Sequence, residues 1–289
     1  MDCIIAFRDA LQAHYGQLDW LPIADGIIRR FHVPGDKPGT HNGWYLLFPD
    51  GIASGCFGSW KAGISHTWSS REPANTAEAE HLRQRTEQAR RQREAEQHQR
   101  PQAAAEYAHR LWRDARRADP DHPYLIAKGV RPFALRQHDG VVFIPLVRDG
   151  QLVNLQRIKP DGSKRFLFGG MVKGCHSPLG IITAGQPLYV CEGWATGATI
   201  HAETGAAVAC AMNAGNLLPA GQRLQRQHPD AVLIVAGDDD RMTDGNPGKT
   251  AAIKAAAALG CGLVLPQWSG AEPLTLTDFN DLANWRAVQ

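Results

Sequence analysis

Two hydrophobic patterns divide the chain. In the C-terminal third, short and nearly unbroken apolar runs recur: Pro187-Leu188-Tyr189-Val190-Cys191, Ala206 through Ala211, Val232-Leu233-Ile234-Val235-Ala236 and Gly262-Leu263-Val264-Leu265. Runs of this length without polar alternation fit strands buried on both faces, as in a parallel sheet. Helical signals lie between them. Trp194 to Ile200 follows Glu192-Gly193, another helix is expected over Ala220–Gln227, and Asn246-Pro247-Gly248 opens an Ala-rich stretch. Asn246 suits the N-cap and Pro247 the first helical position. The resulting order, β-α-β-α-β, winds through right-handed crossovers into a parallel sheet flanked by helices, an α/β architecture.

Further upstream the pattern changes. Pro123 to Val130 reads as a short helix stopped at Gly129. Val141–Leu146 and Leu152–Ile158 read as strands joined by a turn at Asp149-Gly150, and Pro160-Asp161-Gly162 is a second turn before Lys164–Gly170. From Glu72 to about Arg117 the composition shifts to Gln, Arg, Glu and Ala, which favours helix, with Pro101 as an expected break. Acids interleave its Arg90, Arg91 and Arg93, so a solvated face is expected there. The predicted organisation is 1–70, an N-terminal α+β unit; 71–120, a helical linker; 121–186, a small β-rich subdomain; and 187–289, the α/β domain with a C-terminal extension.

Candidate chemistry gathers at strand ends. Val232–Ala236 runs through Gly237 into Asp238-Asp239-Asp240, and Pro187–Cys191 runs into Glu192. Open α/β sheets bind ligands outside the carboxyl ends of their strands. Adjacent carboxylates repel unless a cation neutralises them, which points to a divalent metal. Asp239 alternates to the other side of an extended chain, so it is the least suited of the three as a ligand. Gly248-Lys249-Thr250 imitates the end of a phosphate-binding P-loop, but Thr243 stands where that loop needs its first glycine, which excludes a Walker ATPase.

A strand ending in Glu-Gly, a strand ending in Asp-x-Asp and a Gly-containing turn into an Ala-rich helix together resemble the Toprim domain. That fold is shared by DnaG-type primases, topoisomerases and some nucleases. The resemblance covers roughly Pro187 to Pro266 and implies Glu192, Asp238 and Asp240 as catalytic and metal-site acids for Mg²⁺ or Mn²⁺. The β-rich segment ahead of it resembles the one that precedes Toprim in phage and plasmid primases, where basic residues hold nucleotide phosphates. By position, Arg157, Lys159, Lys164 and Arg165 match. Thr277-Asp278-Phe279-Asn280-Asp281-Leu282 resembles a motif that follows Toprim in mobile-element primases. It makes Asp278 and Asp281 additional candidates, with a helix-start role as the equal alternative. The implied function is a DNA primase, a nucleotidyltransferase making short RNA primers on single-stranded DNA by two-metal chemistry for plasmid, phage or mobile-element replication. The alternatives are a Toprim nuclease and a non-catalytic nucleic-acid-binding replication adaptor.

Charge sharpens this reading. The chain carries 31 Lys and Arg against 29 Asp and Glu, so net charge alone predicts no affinity for nucleic acid. Locally, Lys128–Lys173 holds nine basic residues against three acidic, while Glu192–Asp281 holds five against ten. Cations for phosphates beside carboxylates for metals is the polarity a polymerase cleft requires. In the N-terminal unit, Trp20, Phe31, Trp44, Tyr45, Phe57 and Trp60 interleave with Arg29, Arg30, His32 and Lys61. They form either a platform for single-stranded bases or an ordinary core. The six cysteines are scattered without a C-x-x-C pair, so no zinc is expected, unlike DnaG-type primases. No apolar run reaches membrane-spanning length and no signal peptide begins the chain, so a cytoplasmic setting is expected. The expected partners are a single-stranded DNA template and ribonucleoside triphosphates. A separate helicase or replication initiator is expected too, since no helicase motor is visible.

Overall fold

The computed structural model describes residues 2–289, the side chains of 96–98 excepted. The chain divides into two compact units, Met1–Gln99 and Arg100–Gln289. In the first, the Asp2 carboxylate accepts from the Ile4 amide at 3.0 Å and so starts α1 (Cys3–Tyr15). An antiparallel meander follows: β1 (Arg29–Phe31), β2 (Gly43–Phe48), β3 (Ser54–Ser59) and β4 (Ile64–Ser69), in that spatial order. Phe31, Tyr45 and Phe57 are buried against Phe7 and Leu11 of α1, and Trp44 is buried as well. A unit this small has little else to bury, so the interleaved aromatics are mostly its core rather than a platform for bases. Only Trp20 and Trp60 among the candidate rings keep partial exposure, and Trp20 is stacked on Tyr45 with centroids 5.4 Å apart.

The division between units falls within a single helix, α2 (Thr76–Asp114), which carries Pro101 in its interior. The break expected at Pro101 does not occur. The ring removes one backbone hydrogen bond, but the strong helix formers after it, Gln102 through Glu106, carry the helix on. Arg90 and Arg91 lie on a solvated face and both pair with Glu87, at 2.9 and 3.0 Å, whereas Arg93 departs from that expectation and is half-buried over the Trp44 ring at 5.6 Å.

The second unit is built on two five-stranded sheets. One joins β5 (Arg116–Arg117), β6 (Arg136–His138), β7 (Val141–Arg148), β8 (Gln151–Ile158) and β9 (Lys164–Phe166) as an antiparallel meander, with α3 (Pro123–Lys128) inserted after β5. Asp149 and Gly150 both take positive φ between β7 and β8, as a tight hairpin turn requires. The other sheet comprises β10 (Ser177–Leu179), β11 (Pro187–Cys191), β12 (Ala207–Cys210), β13 (Val232–Ala236) and β14 (Gly262–Val264), in the order β10-β12-β11-β13-β14. Helices α4 (Trp194–Thr204), α5 (Leu217–Gln227), α6 (Pro247–Leu259) and α7 (Phe279–Ala287) complete it. Four strands are parallel as the apolar runs predict. The fifth, β10, pairs antiparallel with β12, so a strand from the β-rich stretch serves as an edge of the α/β sheet.

Alternation along these strands separates two cores. Leu188, Val190, Ala207, Ala209, Leu233 and Val235 pack under α5 and α6. On the other face Cys191, Val208, Cys210 and Ala236 meet α4, α3 and the inner face of the β5–β9 sheet through Val142, Ile144 and Ile158. The two sheets of this unit therefore share one continuous core.

Two buried amides fasten the stretch between β9 and β10: Asn154 donates to the Met171 carbonyl at 3.1 Å, and Asn216 makes the larger set of bonds. Asn216 accepts from the Gly174 amide at 2.7 Å, and its Nδ2 is shared among the carbonyls of Val172, Cys175 and Ala211 at 2.7–3.0 Å. Asn216→Ala strands these groups in a dry site and is expected to lower the unfolding free energy by about 3 kcal/mol, measured by urea denaturation. His176, also buried, bridges Val147, and burial pushes its imidazole down to about 4. Above about pH 6.5 the ring is neutral in both folded and unfolded chains. Below that, only the unfolded chain takes up the proton, so stability falls by about 3 kcal/mol between pH 6.5 and pH 4. A His176→Gln protein is expected to lose that part of the slope in unfolding experiments run across this range.

Candidate metal centre and its basic border

Glu192 directly follows β11 and Asp238 follows β13 by two residues. These strands are parallel neighbours with Cys191 beside Ala236, so both acids leave the same rim of the sheet. The C-terminal extension brings two more. Asp278 caps α7 by accepting from the Asp281 amide at 2.8 Å, and its other oxygen accepts from Thr196 Oγ1 of α4 at 2.8 Å. Buried Asn280 donates to Thr199 Oγ1 and to the Lys128 carbonyl, at 2.9 and 2.7 Å, which pins α7 to α4 and α3. Asp239 donates its amide to the Thr277 carbonyl at 2.7 Å and joins the acid loop to the same extension.

The electrostatics follow from this crowding. Burial, then the neighbouring charges of Asp278, Glu192, Asp240 and Asp281, push the Asp238 carboxyl up to about 8. Its Oδ1 is buried with no hydrogen-bond partner. Burial and Asp240 also raise Glu192, although a backbone N–H at Ala214 works the other way. Asp240 is fixed from above: its Oδ2 accepts from the Gly248 amide at the start of α6, 2.8 Å away. A Cβ on Gly248 would stand 2.8 Å from that oxygen and 3.1 Å from Asp238 Cβ, so only glycine lets the helix approach this closely.

Asp239 faces elsewhere, as alternation predicts. It accepts from Asn246 Nδ2 at 2.7 Å and from Trp268 Nε1 at 2.9 Å, with Lys249 at 3.6 Å. Against the burial that would raise it, these partners hold its carboxyl below the usual range. Lys249, from the P-loop look-alike, is thus occupied with a carboxylate. Asn246 is the N-cap read from the sequence, and it does more than cap. At φ +41° its Oδ1 accepts from the amides of both Asp240 and Lys249, so one side chain sets the whole loop.

Among the described residues, no three or more His, Cys, Asp or Glu side chains stand together in metal-ligating geometry. The chemistry of the donor set nevertheless fits a hard divalent cation. The donors are carboxylate oxygens, one is buried and unpartnered, and their mutual repulsion is of the kind a cation relieves.

The four basic residues matched by position do not come together. Lys164 borders the acids: its ammonium lies over the Tyr124 ring at 5.1 Å, burial and nearby Lys128 lower its pKa, and Asp278 opposes them. Arg157 is the register partner of both Phe143 and Arg165, whereas Lys164 is the partner of Ile158. The two arginines therefore occupy the opposite sheet face from Lys164. Lys159 is exposed in the turn after β8. Lys128 was not singled out from the sequence, yet it pairs with Asp281 at 3.4 Å. The sequence marks it only as a basic residue in the last turn of a short helix.

The fold and the acid rim define a class, and the comparisons agree with it. Residues 187–287 match the Toprim domain family, and this part of the chain is a Toprim domain. Over most of its length the chain is similar to two proteins of Escherichia coli, each described as DNA primase TraC. One is 34% identical over 264 residues, covering 87% of this chain and 18% of that protein. The other is 33% identical over 274 residues, covering 87% and 25%. The chain thus spans a quarter or less of these relatives' length. Among solved structures, the zinc-binding and RNA polymerase domains of the Aquifex aeolicus primase align over 100% of this chain and 82% of that one. The identity is 13% and the TM-score 0.41, too low for the likeness to bear on fold or chemistry.

Removing one charge from the crowded acids tests the metal reading without an activity assay. Asp238→Asn is expected to raise the melting temperature in EDTA at neutral pH by roughly 2–6 °C, because the crowded carboxyl must take up a proton to be buried there and an amide carries no such cost. Millimolar Mg²⁺ or Mn²⁺ is expected to stabilise the unmodified protein and to stabilise the variant far less. Equal metal-dependent shifts in both, read by calorimetry, would exclude Asp238 as a ligand.

Proposed function

We propose that the chain is the catalytic part of a DNA primase, which joins ribonucleotides into short primers on a single-stranded DNA template. One observation carries the reading: acids crowd the carboxyl rim of a Toprim sheet, within a chain whose likeness to TraC primases extends through the basic sheet ahead of it. In this proposal Glu192, Asp238 and Asp240 hold two Mg²⁺ or Mn²⁺ ions, with Asp278 and Asp281 as outer members of the same cluster. Such ions, when bound, lower the pKa of a primer 3′-hydroxyl and neutralise charge on the departing pyrophosphate.

The chain's own residues do the rest by position. Gly248 and Asn246 fix Asp240 and its loop. Lys164, backed by the Tyr124 ring, offers a cation at the border of the acids for the triphosphate of an incoming nucleotide. Arg157, Lys159 and Arg165 are proposed to meet phosphates farther from the acids. No helix among the described residues is long and apolar enough to cross a membrane. The proposed setting is plasmid or phage replication in the cytoplasm, with a separate helicase or initiator opening the duplex.

Incubation with single-stranded DNA, labelled ribonucleoside triphosphates and Mg²⁺ or Mn²⁺ is expected to yield short oligoribonucleotides resolved on a gel. Asp238→Asn and Glu192→Gln are expected to lower the yield at least about 100-fold, in line with removing charge stabilisation at the reacting centre. Absence of product from the unmodified protein, or metal-dependent nicking of DNA without nucleotides, would replace this reading with the nuclease one.

A further inference from the structure

The β5–β9 sheet has an outer face that the acid cluster does not use. Following register across it, Arg117 stands opposite Arg136, Arg136 opposite Phe143, Phe143 opposite Arg157 and Arg157 opposite Arg165. Directly paired residues share a face, so four arginines and one phenylalanine form a row across all five strands, roughly 19 Å at about 4.8 Å per strand. Like charges directly opposite each other destabilise an antiparallel pair, and this occurs at both ends of the row. Among the described residues none of the four is ion-paired to a carboxylate, and Arg157 Nε is buried without a partner. Such a row calls for anions from outside.

The last turns of α2 cover the middle of the row, where Phe143 is buried with Ala108 and Ala115. The Arg117–Arg136 end stays open. It borders a cleft of about 730 Å³ whose walls include Trp112, Phe133 and Pro178, and no acidic residue lines it. Arg136 lies over the Trp112 ring at 5.0 Å and donates to the Trp112 carbonyl at 2.6 Å; Arg131 lies over the Phe133 ring at 5.3 Å. Phe133 takes φ +46°, a backbone state that costs an aromatic residue about 1–2 kcal/mol, and it stands in the cleft wall.

A free phosphate would satisfy the Arg117–Arg136 pair but leaves the ring-walled volume beside it unexplained. An acidic peptide would satisfy the charge but makes no particular use of flat rings carrying guanidinium groups. Rings for bases next to cations for phosphates is the combination that holds single-stranded nucleic acid. We propose that the cleft between Trp112, Arg117, Phe133 and Arg136 binds single-stranded DNA, its phosphates on the arginines and its bases against the rings. That this strand is a template rests on the primase reading; that it binds here does not.

The test is fluorescence anisotropy with a fluorescein-labelled oligothymidylate and the full chain in EDTA, so that the metal site takes no part. Arg117 and Arg131 are exposed, and Arg117→Ala and Arg131→Ala are expected to leave the melting temperature unchanged. Each is expected to weaken binding about tenfold and to lower the slope of log affinity against log salt by about 1, while Arg117→Lys keeps most of the affinity. Binding of both alanine variants within twofold of the unmodified protein would overturn the proposal. So would a polyglutamate peptide that binds in an Arg117-dependent way while DNA binding stays indifferent to Arg117. Loss of primer synthesis with this DNA binding intact would count against the primase reading alone.

Discussion

The second unit is organised around one unfavourable interaction, the repulsion among carboxylates gathered at the rim of its α/β sheet. Asp238 sits at the centre, buried, with one oxygen unpartnered and four acids raising its pKa. Left to itself such a cluster would spread apart. Three of those four are instead tied to something neutral or positive: Asp240 to the Gly248 amide, Asp278 to Thr196, Asp281 to Lys128. The ties come from three different helices, α6, α4 and α3. Removing any one frees an acid without relieving the burial of Asp238.

Holding those helices in place requires polar fastening within an apolar core. Asn280 and Asn216 serve this purpose, each satisfying several backbone or side-chain groups that would otherwise be buried unpaired. Asn280 brings the C-terminal extension onto α3 and α4. Asn216 fastens the segment that carries the chain from one sheet to the other. The shared core of Val142, Ile144 and Ile158 with Cys191, Val208 and Ala236 then makes the two sheets of the second unit a single packed body. Basic and acidic parts meet at Lys164, Lys128 and Tyr124 because that core leaves them no other arrangement.

Much of this was legible in the chain, and what was not has a common cause. Buried parallel strands advertise themselves by unbroken apolar runs, and the rim position of Glu192, Asp238 and Asp240 follows from them directly. Asn246-Pro247 announced a helix start because capping is local. Register is not local. A strand's side chains alternate, but which face of β8 and β9 meets the other sheet depends on partners far away in sequence. Arg157 and Arg165 therefore look equivalent to Lys164 when counted as charges, although only Lys164 stands beside the acids. The antiparallel edge β10 escaped for the same reason, whereas the helix runs through Pro101 because the helix formers after it outweigh one lost hydrogen bond. The aromatic N-terminal unit offered two readings from composition alone, and burial of Trp44, Tyr45 and Phe57 decides for the core.

Register also explains why three consecutive aspartates carry two different tasks. In an extended segment, Asp238 and Asp240 project to one side and Asp239 to the other. The outer pair enters the crowded cluster, where full ionisation is unfavourable without a cation. The middle residue faces Asn246, Trp268 and Lys249, which favour its ionised form. Its charge is thereby compensated inside the protein, and its hydrogen bonds fix the backbone from which the other two project. An Asn at this position would keep an acceptor for one neighbour and lose the attraction to Lys249, loosening the loop without touching the cluster itself. Asp239 is thus the structural member of the motif, and the hydrogen bonds it makes hold the loop from which two repelling carboxylates project together.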